Sequence, residues 1–183
     1  FVVVDTFSDR TATRAAGFVG PGCVGHVSLA HPTCARLADA AEAGASAAGA
    51  TVHRGGTYLA MEGPQFSTLS ESRMYREVWG ADVIGMTNMP EARLAREAEL
   101  CYVTVAMVTD YDSWHPDHGA VEISQILATA AANADTARAM IRALPGLLSG
   151  PAAPCPAGCD RALEHAILTA PAARDPQMVD HLK

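Results

Sequence analysis

The 183-residue chain has a single lysine (Lys183), few aromatic residues (5%) and a modest share of charged residues (18%). No apolar run approaches the roughly 20 residues that cross a bilayer, and no segment resembles a signal peptide. The 13 basic and 20 acidic side chains give a net charge of −7 without any basic cluster, which argues against binding of nucleic acid through its phosphates. Together these absences exclude the transmembrane, collagen-like and disordered classes.

Cysteine usage bears on the cellular compartment. The five cysteines are odd in number and widely spread along the chain: Cys23, Cys34, Cys101, Cys155 and Cys159. Small secreted domains instead carry a dense framework of paired cysteines. We therefore expect a cytoplasmic protein that associates with no membrane.

The length predicts one domain over residues 1–183, and 49% apolar residues are enough for a sizeable core. The chain opens on Phe1-Val2-Val3-Val4 without a methionine, which is typical of a buried strand already under way. We expect a fragment whose earlier strands lie upstream.

Short apolar runs alternate along the chain with Ala-rich or capped segments of helical periodicity. The former predict strands and the latter helices. The predicted strands are Val2–Val4, Val24–Leu29, Tyr58–Met61, Asp82–Gly85 and Tyr102–Val108, with Thr6–Pro21 as a loop; the predicted helices are Thr33–Ala48, Thr68–Trp79, Pro90–Glu97, Ser124–Leu144 and Ala162–Leu168. This alternation predicts an α/β fold with a mainly parallel or mixed central sheet flanked by helices.

Three polar segments follow predicted strands, at the edge where open α/β sheets bind ligands. Glu62–Thr68 brings an aromatic ring and a hydroxyl, and Gly85–Glu91 brings a methionine, a threonine and the free amide groups of a helix start. Val108–Trp114 places Asp110 and Asp112 directly after the most apolar strand. Each feature alone is typical of ordinary core or turn structure, but the three together predict a binding site.

The residues around these segments form long motifs. They are Gly56-Thr57-Tyr58, Glu62-Gly63-Pro64-Gln65-Phe66-Ser67-Thr68, Trp79-Gly80-Ala81-Asp82-Val83-Ile84-Gly85-Met86-Thr87, Pro90-Glu91-Ala92, Leu94-Ala95-Arg96-Glu97 and Ala106-Met107-Val108-Thr109-Asp110-Tyr111-Asp112. With them the span Gly56–Pro116 resembles the S-methyl-5′-thioadenosine phosphorylases, within the trimeric purine nucleoside phosphorylase family. Weaker similarity covers Asp5–Arg10, His26–Cys34 and the region of Ile126. The resemblance implies the fold of purine nucleoside phosphorylases.

The resemblance implies phosphorolysis, in which phosphate attacks the ribosyl C1′ of 5′-methylthioadenosine and adenine leaves. A departing purine gains negative charge at N7, so that a carboxyl group there is the natural general acid. Asp110 matches the family position that contacts N7 and N6, and Asp112 the neighbour that accepts from the exocyclic amine. Inorganic phosphate is then a co-substrate, and no cofactor or metal is expected.

Two residues separate this branch from the one that acts on 6-oxopurines. The 6-oxopurine branch resembles Gly-Pro-x-Phe-Glu-Thr in the first motif, with a base-binding glutamate at the position of Ser67, and has asparagine at that of Asp110. A carboxylate suits the amine of adenine, whereas a 6-oxo group presents an acceptor and is repelled. The alternatives are a phosphorylase of 6-oxopurine nucleosides or methylthioinosine, and a nucleoside-binding module without catalysis.

The resemblance also implies the remaining site residues. Phe66 is expected to stack on the base or ribose, and Met86 to lie under the sugar near its 2′-hydroxyl, with Thr87 reaching phosphate. Three residues are expected to line the base and methylthio region: Ser67, Ile84 and Ile126. His26 matches a residue that reaches the neighbouring subunit's 5′ pocket, which implies a homotrimer; the alternative is a histidine of the surface or core.

The family's phosphate site draws on an N-terminal Gly-rich loop, an Arg-His pair and a Thr-Ala pair that are not recognisable in this chain. An anion needs charge-assisted donors, which Thr87 cannot supply alone. We therefore expect at most negligible activity from the 183-residue chain by itself, although the full-length protein is expected to be an enzyme.

Two further groups of residues have metal-ligating side chains. His115, Asp117 and His118 are interpreted as part of a solvated lid loop. Cys155 and Cys159 are only two thiols, which do not make a zinc site. A short-loop disulfide between them is one alternative, and Cys34 with Cys101 is another candidate pair because some thermostable relatives carry cysteine bridges; we favour free thiols.

Overall fold

The computed structural model describes residues 1–115, 123–150 and 153–182. Within these residues the chain forms six strands and five α-helices. The strands are β1 (Val2–Val3), β2 (Thr6–Arg10), β3 (His53–Arg54), β4 (Thr57–Met61), β5 (Val83–Gly85) and β6 (Val105–Ala106); the helices are α1 (Ala35–Ala47), α2 (Leu69–Glu77), α3 (Glu91–Glu97), α4 (Ile123–Leu147) and α5 (Pro176–His181). No helix in the described part of the chain has the length and apolar character needed to cross a membrane.

The strands β2, β4 and β5 form a parallel sheet with β4 in the middle. Thr6 pairs with Thr57 and Arg10 with Met61, so that β2 follows β4 over its whole length. The central part of β4 is buried, as is usual for a parallel strand covered on both faces.

A second, mixed sheet has the order β3-β1-β6, in which β1 is parallel to β3 and antiparallel to β6. The two sheets meet where the amide of Asp5 donates to the carbonyl of Gly56 at 3.1 Å. Their shared core contains Val4, Tyr58, Ala60, Met89, Ala92 and Ala106. The predicted mixed α/β fold is confirmed.

Helix α2 begins as its sequence predicts. The Thr68 hydroxyl accepts from the Glu71 amide at 3.2 Å, and the Glu71 carboxylate accepts from the Thr68 amide at 2.9 Å. This reciprocal capping box pairs two amides that the helix itself leaves free. Helices α1 and α3 also fall where predicted, within a few residues.

One loop prediction and one strand prediction are wrong, and another predicted strand is shorter than expected. Thr6–Arg10 belongs to the predicted loop Thr6–Pro21 but forms β2, because backbone pairing with β4 outweighs its mixed polar composition. Val24–Leu29 forms no strand, and only Gly25 makes a bridge, to Ile167. Of the apolar run Tyr102–Val108 only two residues pair as β6, since the partner β1 is itself two residues long.

The C-terminal half also departs from the prediction. Helix α4 includes Pro145 and ends two residues later at Leu147, so the proline falls in its last turn instead of ending it. The segment Ala162–Leu168 forms turns after a 3-10 helix at Cys159–Arg161. The predicted loose tail contains α5, which is capped by Asp175 accepting from the amides of Gln177 and Met178 at 2.8 and 3.1 Å.

The contact between β4 and β5 leads to a stability prediction. A methyl group on Gly85 would overlap the hydroxyl of buried Tyr58, with the ring carbon Cζ at 2.9 Å. Gly85→Ala is therefore expected to cost about 1–3 kcal/mol of folding free energy, equivalent to about 2–4 °C of melting temperature per kcal/mol in a domain of this size. Differential scanning fluorimetry of the full-length protein measures it.

Gly146→Ala is the matched control, because a methyl group there meets no atom within 4 Å and a helical glycine is costly. We expect this variant to melt at or slightly above the wild-type temperature. Equal melting temperatures for the two variants would contradict the assigned overlap.

Candidate active site

A cavity of about 680 Å³ opens beside the end of β5. Its walls are residues 80–87, residues 104–112, one face of α2, Tyr58 and Trp114. Cavities that hold small ligands fall in the same range of about 300–1,000 Å³. Two of the three predicted site segments, those after β5 and after β6, thus line the same cavity.

Asp110 and Asp112 both line this cavity. The Asp110 carboxylate accepts from the Thr109 hydroxyl at 2.7 Å on Oδ2 and from the Asp112 amide at 2.8 Å on Oδ1. A carboxylate offers about two acceptor sites on each oxygen, so one site on each remains for a ligand. Asp112 begins a 3-10 turn with a positive φ of 54°, a conformation that aspartate tolerates better than most residues.

Ile84, Met86 and Thr87 also line the cavity. The Thr87 hydroxyl lies 3.2 Å from the hydroxyl of buried Tyr58, which fixes its position at the end of β5. Met86 packs against Gly63, whose φ is 73° and where an added methyl group would lie 2.6 Å from the Met86 sulfur. The loop of the first motif therefore holds the methionine in place.

The first motif, Glu62–Thr68, supports residues of the cavity but does not line it. Ser67 is buried, and its carbonyl accepts from the Ser113 hydroxyl at 3.0 Å, which ties the motif to the turn that carries Asp112. Phe66 is 54% exposed and lies outside the cavity lining. Hydrogen bonds lower the pKa of Glu62, the first residue of the motif; the largest effect comes from the backbone amide of Ala12 and the next from the Thr13 hydroxyl.

Two other predicted residues lie outside the cavity lining. Ile126 is half-buried in α4. His26 is exposed and lines a second cavity of about 400 Å³ with His31, Arg96 and His165. The described chain therefore brings together five of the nine predicted site residues: Ile84, Met86, Thr87, Asp110 and Asp112.

Helix α2 supplies a wall that the sequence analysis missed. Its face presents Ser72, Tyr75 and Arg76, and the Arg76 guanidinium lies 3.8 Å from the ring centroid of Trp114. Burial raises the pKa of Tyr75, so its phenol keeps its proton. Spacings of three and four residues place side chains on one helix face, and this periodicity is the signal that could have identified them.

Of the predicted lid loop, His115 is described and packs on Tyr111 at 4.7 Å and Trp114 at 5.1 Å between ring centroids. Asp117 and His118 lie outside the described residues. The loop assignment therefore stays a prediction.

A group of four cysteines can hold a metal ion, away from the large cavity. We call Cys34, Cys101, Cys155 and Cys159 the cysteine cluster. All five cysteines of the chain are free thiols in the structure. The sequence analysis favoured free thiols, with the pairs Cys155–Cys159 and Cys34–Cys101 as alternatives; the fold brings all four sulfurs together.

The fold is that of a mixed α/β protein with a cavity where the strands of its parallel sheet end, which is the usual place of a ligand site in such folds. The chain belongs to the phosphorylase superfamily, whose family model matches residues 1–144.

Curated relatives and solved structures agree with this assignment. S-methyl-5′-thioadenosine phosphorylases are 62% identical in Cereibacter sphaeroides and 55% identical in Bradyrhizobium diazoefficiens, each over 100% of this chain. The chain spans 62% of the length of both relatives.

A methylthioadenosine phosphorylase from an Antarctic soil metagenomic library superposes with a TM-score of 0.83 at 38% identity, over 100% of this chain and 64% of that one. The Schistosoma mansoni methylthioadenosine phosphorylase, solved with adenine, gives 0.76 at 27% identity over 82% and 60%.

Proposed function

We propose that the protein carrying this chain is a cytoplasmic S-methyl-5′-thioadenosine phosphorylase. It transfers the 5-methylthioribosyl group from adenine to inorganic phosphate and uses no redox or organic cofactor. The observation that carries the proposal is the cavity that Asp110 and Asp112 line together with Met86 and Thr87. Bacterial relatives that bear this name at 52–62% identity support it.

The two acids have distinct tasks in this proposal. The C1′–N9 bond breaks as phosphate oxygen approaches C1′, and the electron pair moves into the purine, where charge builds at N7. Asp110 holds a proton toward N7 and releases it as adenine leaves. Asp112 accepts from the exocyclic amine, which a 6-oxopurine lacks.

The geometry around Asp110 suits this task. Its hydrogen bonds to Thr109 and to the Asp112 amide hold the carboxyl plane but leave acceptor capacity on both oxygens. Because the Asp112 amide is one of the two donors, the acids move as a unit. Fixed orientation of this kind is what a proton donor needs in order to reach a ring nitrogen along its lone pair.

In this proposal the residues at the end of β5 bind the sugar and the phosphate. Met86, directly after β5, offers an apolar surface to the ribosyl group, and Ile84 lies on β5 itself. Thr87 donates to phosphate from a position fixed by Tyr58. Of the cavity-lining residues in the described ranges, Arg76 is the cationic one, and its guanidinium stacks on Trp114.

We further infer a homotrimer in which His26 completes the site of a neighbouring subunit. His26 is exposed and lines the smaller cavity, separately from the acids. A role in substrate binding therefore requires another copy of the chain. Phe66 is proposed to stack on the base or ribose, and Ser67 and Ile126 to line the base and methylthio region, although all three lie outside the cavity lining of the described chain. Ser67 acts in this proposal through its link to the Asp112 turn.

The full-length protein is expected to cleave methylthioadenosine in phosphate buffer at least about tenfold more efficiently than inosine. Asp110→Asn removes the acid and replaces one acceptor oxygen by a donor amide. It should lower kcat for methylthioadenosine by about 100-fold or more and shift the preference toward inosine. Release of adenine or hypoxanthine, followed chromatographically, measures both.

Asp135→Asn on the exposed face of α4 is the control for this substitution and should leave kcat unchanged. A wild-type protein that prefers inosine would overturn the substrate assignment. An Asp110→Asn variant with an unaltered ratio of adenine to hypoxanthine release would overturn the role of Asp110.

Met86→Ala tests the sugar contact. Loss of this apolar surface should raise the Kd for a nucleoside by about tenfold but change the Kd for free adenine much less, because adenine has no sugar. Titration calorimetry with both ligands gives the two constants. Met74→Ala, on an exposed part of α2 outside the cavity lining, is the control; equal weakening of both ligands by Met86→Ala would contradict the assignment.

A further inference from the structure

The cysteine cluster draws on three separate parts of the chain. Cys34 immediately precedes α1, and Cys101 lies between α3 and β6. Cys155 and Cys159 come from the segment after α4, where Cys159 begins a 3-10 helix. The fold thus places four sulfur ligands at one point where three segments meet.

The spacing of the sulfurs fits a tetrahedral metal ion. All four Sγ atoms lie within 4.8 Å of one another, and those of Cys34 and Cys155 are 3.6 Å apart. Zinc–sulfur bonds of about 2.3 Å in a tetrahedron set sulfurs about 3.8 Å apart. A shift of about 1 Å at most therefore brings the four thiols to zinc-binding distances.

Burial makes this a closed site. Cys34, Cys155 and Cys159 are 0%, 2% and 1% exposed, and Cys101 is partly buried. Zinc sites that serve a structural role are closed by four protein ligands, whereas catalytic sites keep a position open for water or substrate. The cluster has the first of these two forms.

Local backbone geometry supports metal binding at the Cys155–Cys159 turn. Three residues separate the two cysteines, within the spacing of about two to four that zinc-binding pairs use. Gly158 takes a φ of 69°, and the Cys155 amide donates to the Asp160 carboxylate at 3.0 Å. These contacts fix the turn so that both sulfurs point to the same place.

Positive charge lies beside the cysteine cluster, as suits a site with negatively charged ligands. Arg36 places a guanidinium 3.6 Å from the Cys101 sulfur, where it offsets negative charge.

We propose that the cysteine cluster binds one Zn²⁺ ion as a structural site. Each protonated thiol loses its proton to solvent and forms one zinc–sulfur bond, so that the tetrathiolate centre carries a net charge of −2 with no change in oxidation state. The ion joins the start of α1 and the end of α3 to the C-terminal segment. That segment holds the His26 backbone, whose amide donates to the Ala166 carbonyl at 2.9 Å.

The inference is independent of the proposed function, since no cluster cysteine lines the large cavity. It is tested on the full-length protein, purified under reducing conditions from zinc-supplemented medium without chelator. Elemental analysis is expected to give about one zinc per chain, and the Cys155→Ser and Cys159→Ser variants less than about a tenth of that. Cys23→Ser is the matched control, because Cys23 is buried but outside the cluster, and it should keep its zinc.

A second measurement uses the wild-type chain, in case the serine variants fail to fold. Removal of the metal by a strong chelator should lower the melting temperature by about 5 °C or more, and added Zn²⁺ should restore it. Titration of the metal-free protein with Co²⁺ should saturate at one equivalent with the visible absorption of tetrahedral cobalt thiolate. The proposal would be overturned if the reduced wild-type protein held less than about a tenth of an equivalent of zinc, or an equivalent of iron in its place. Either result overturns it whether the thiols are then found free or as disulfides.

Discussion

The strand β4 makes backbone hydrogen bonds along both of its edges, to β2 and to β5. Its register with β5 places Tyr58 beside Val83, and from there the phenol passes Gly85 and reaches the hydroxyl of Thr87. A side chain larger than hydrogen at Gly85 would block that path. The end of β5, which forms one wall of the cavity, is thus positioned by a buried residue of the neighbouring strand.

Another part of the cavity lining, the turn that carries Asp112, is held by a contact with the first motif. The 3-10 turn at Asp112–Trp114 is tied to the first motif through the Ser113 hydroxyl and the Ser67 carbonyl, and the same motif ends in the capping box that starts α2. The loop Glu62–Thr68 therefore fixes the helix wall and the turn that carries Asp112 together. This explains how a loop can matter for the site although its aromatic ring lies outside the cavity lining.

Local sequence signals predicted α2, the end of β5 and the place of the two acids, since capping and strand-end positions depend on neighbouring residues. They missed β2, because the polar side chains of Thr6–Arg10 give no strand pattern and its partner β4 lies far along the chain. To predict that Arg76 lines the cavity, one must also know which face of α2 turns toward Trp114. The cysteine cluster was missed because its cysteines come from three segments that are far apart in the sequence.

The cysteine cluster is buried and closed, whereas the cavity is open to solvent. The proposed proton donor must be accessible to a ligand, and Asp110 is exposed at the cavity with acceptor capacity on both carboxylate oxygens. Four thiols at one buried point gain little from packing, and a buried thiolate without a partner is costly. A divalent cation offsets that cost while linking α1, α3 and the C-terminal segment, which has little regular structure of its own to hold it in place. In this arrangement the ion stabilises the part of the chain next to His26 and leaves the cavity wall around Asp110 free to bind and release its ligand.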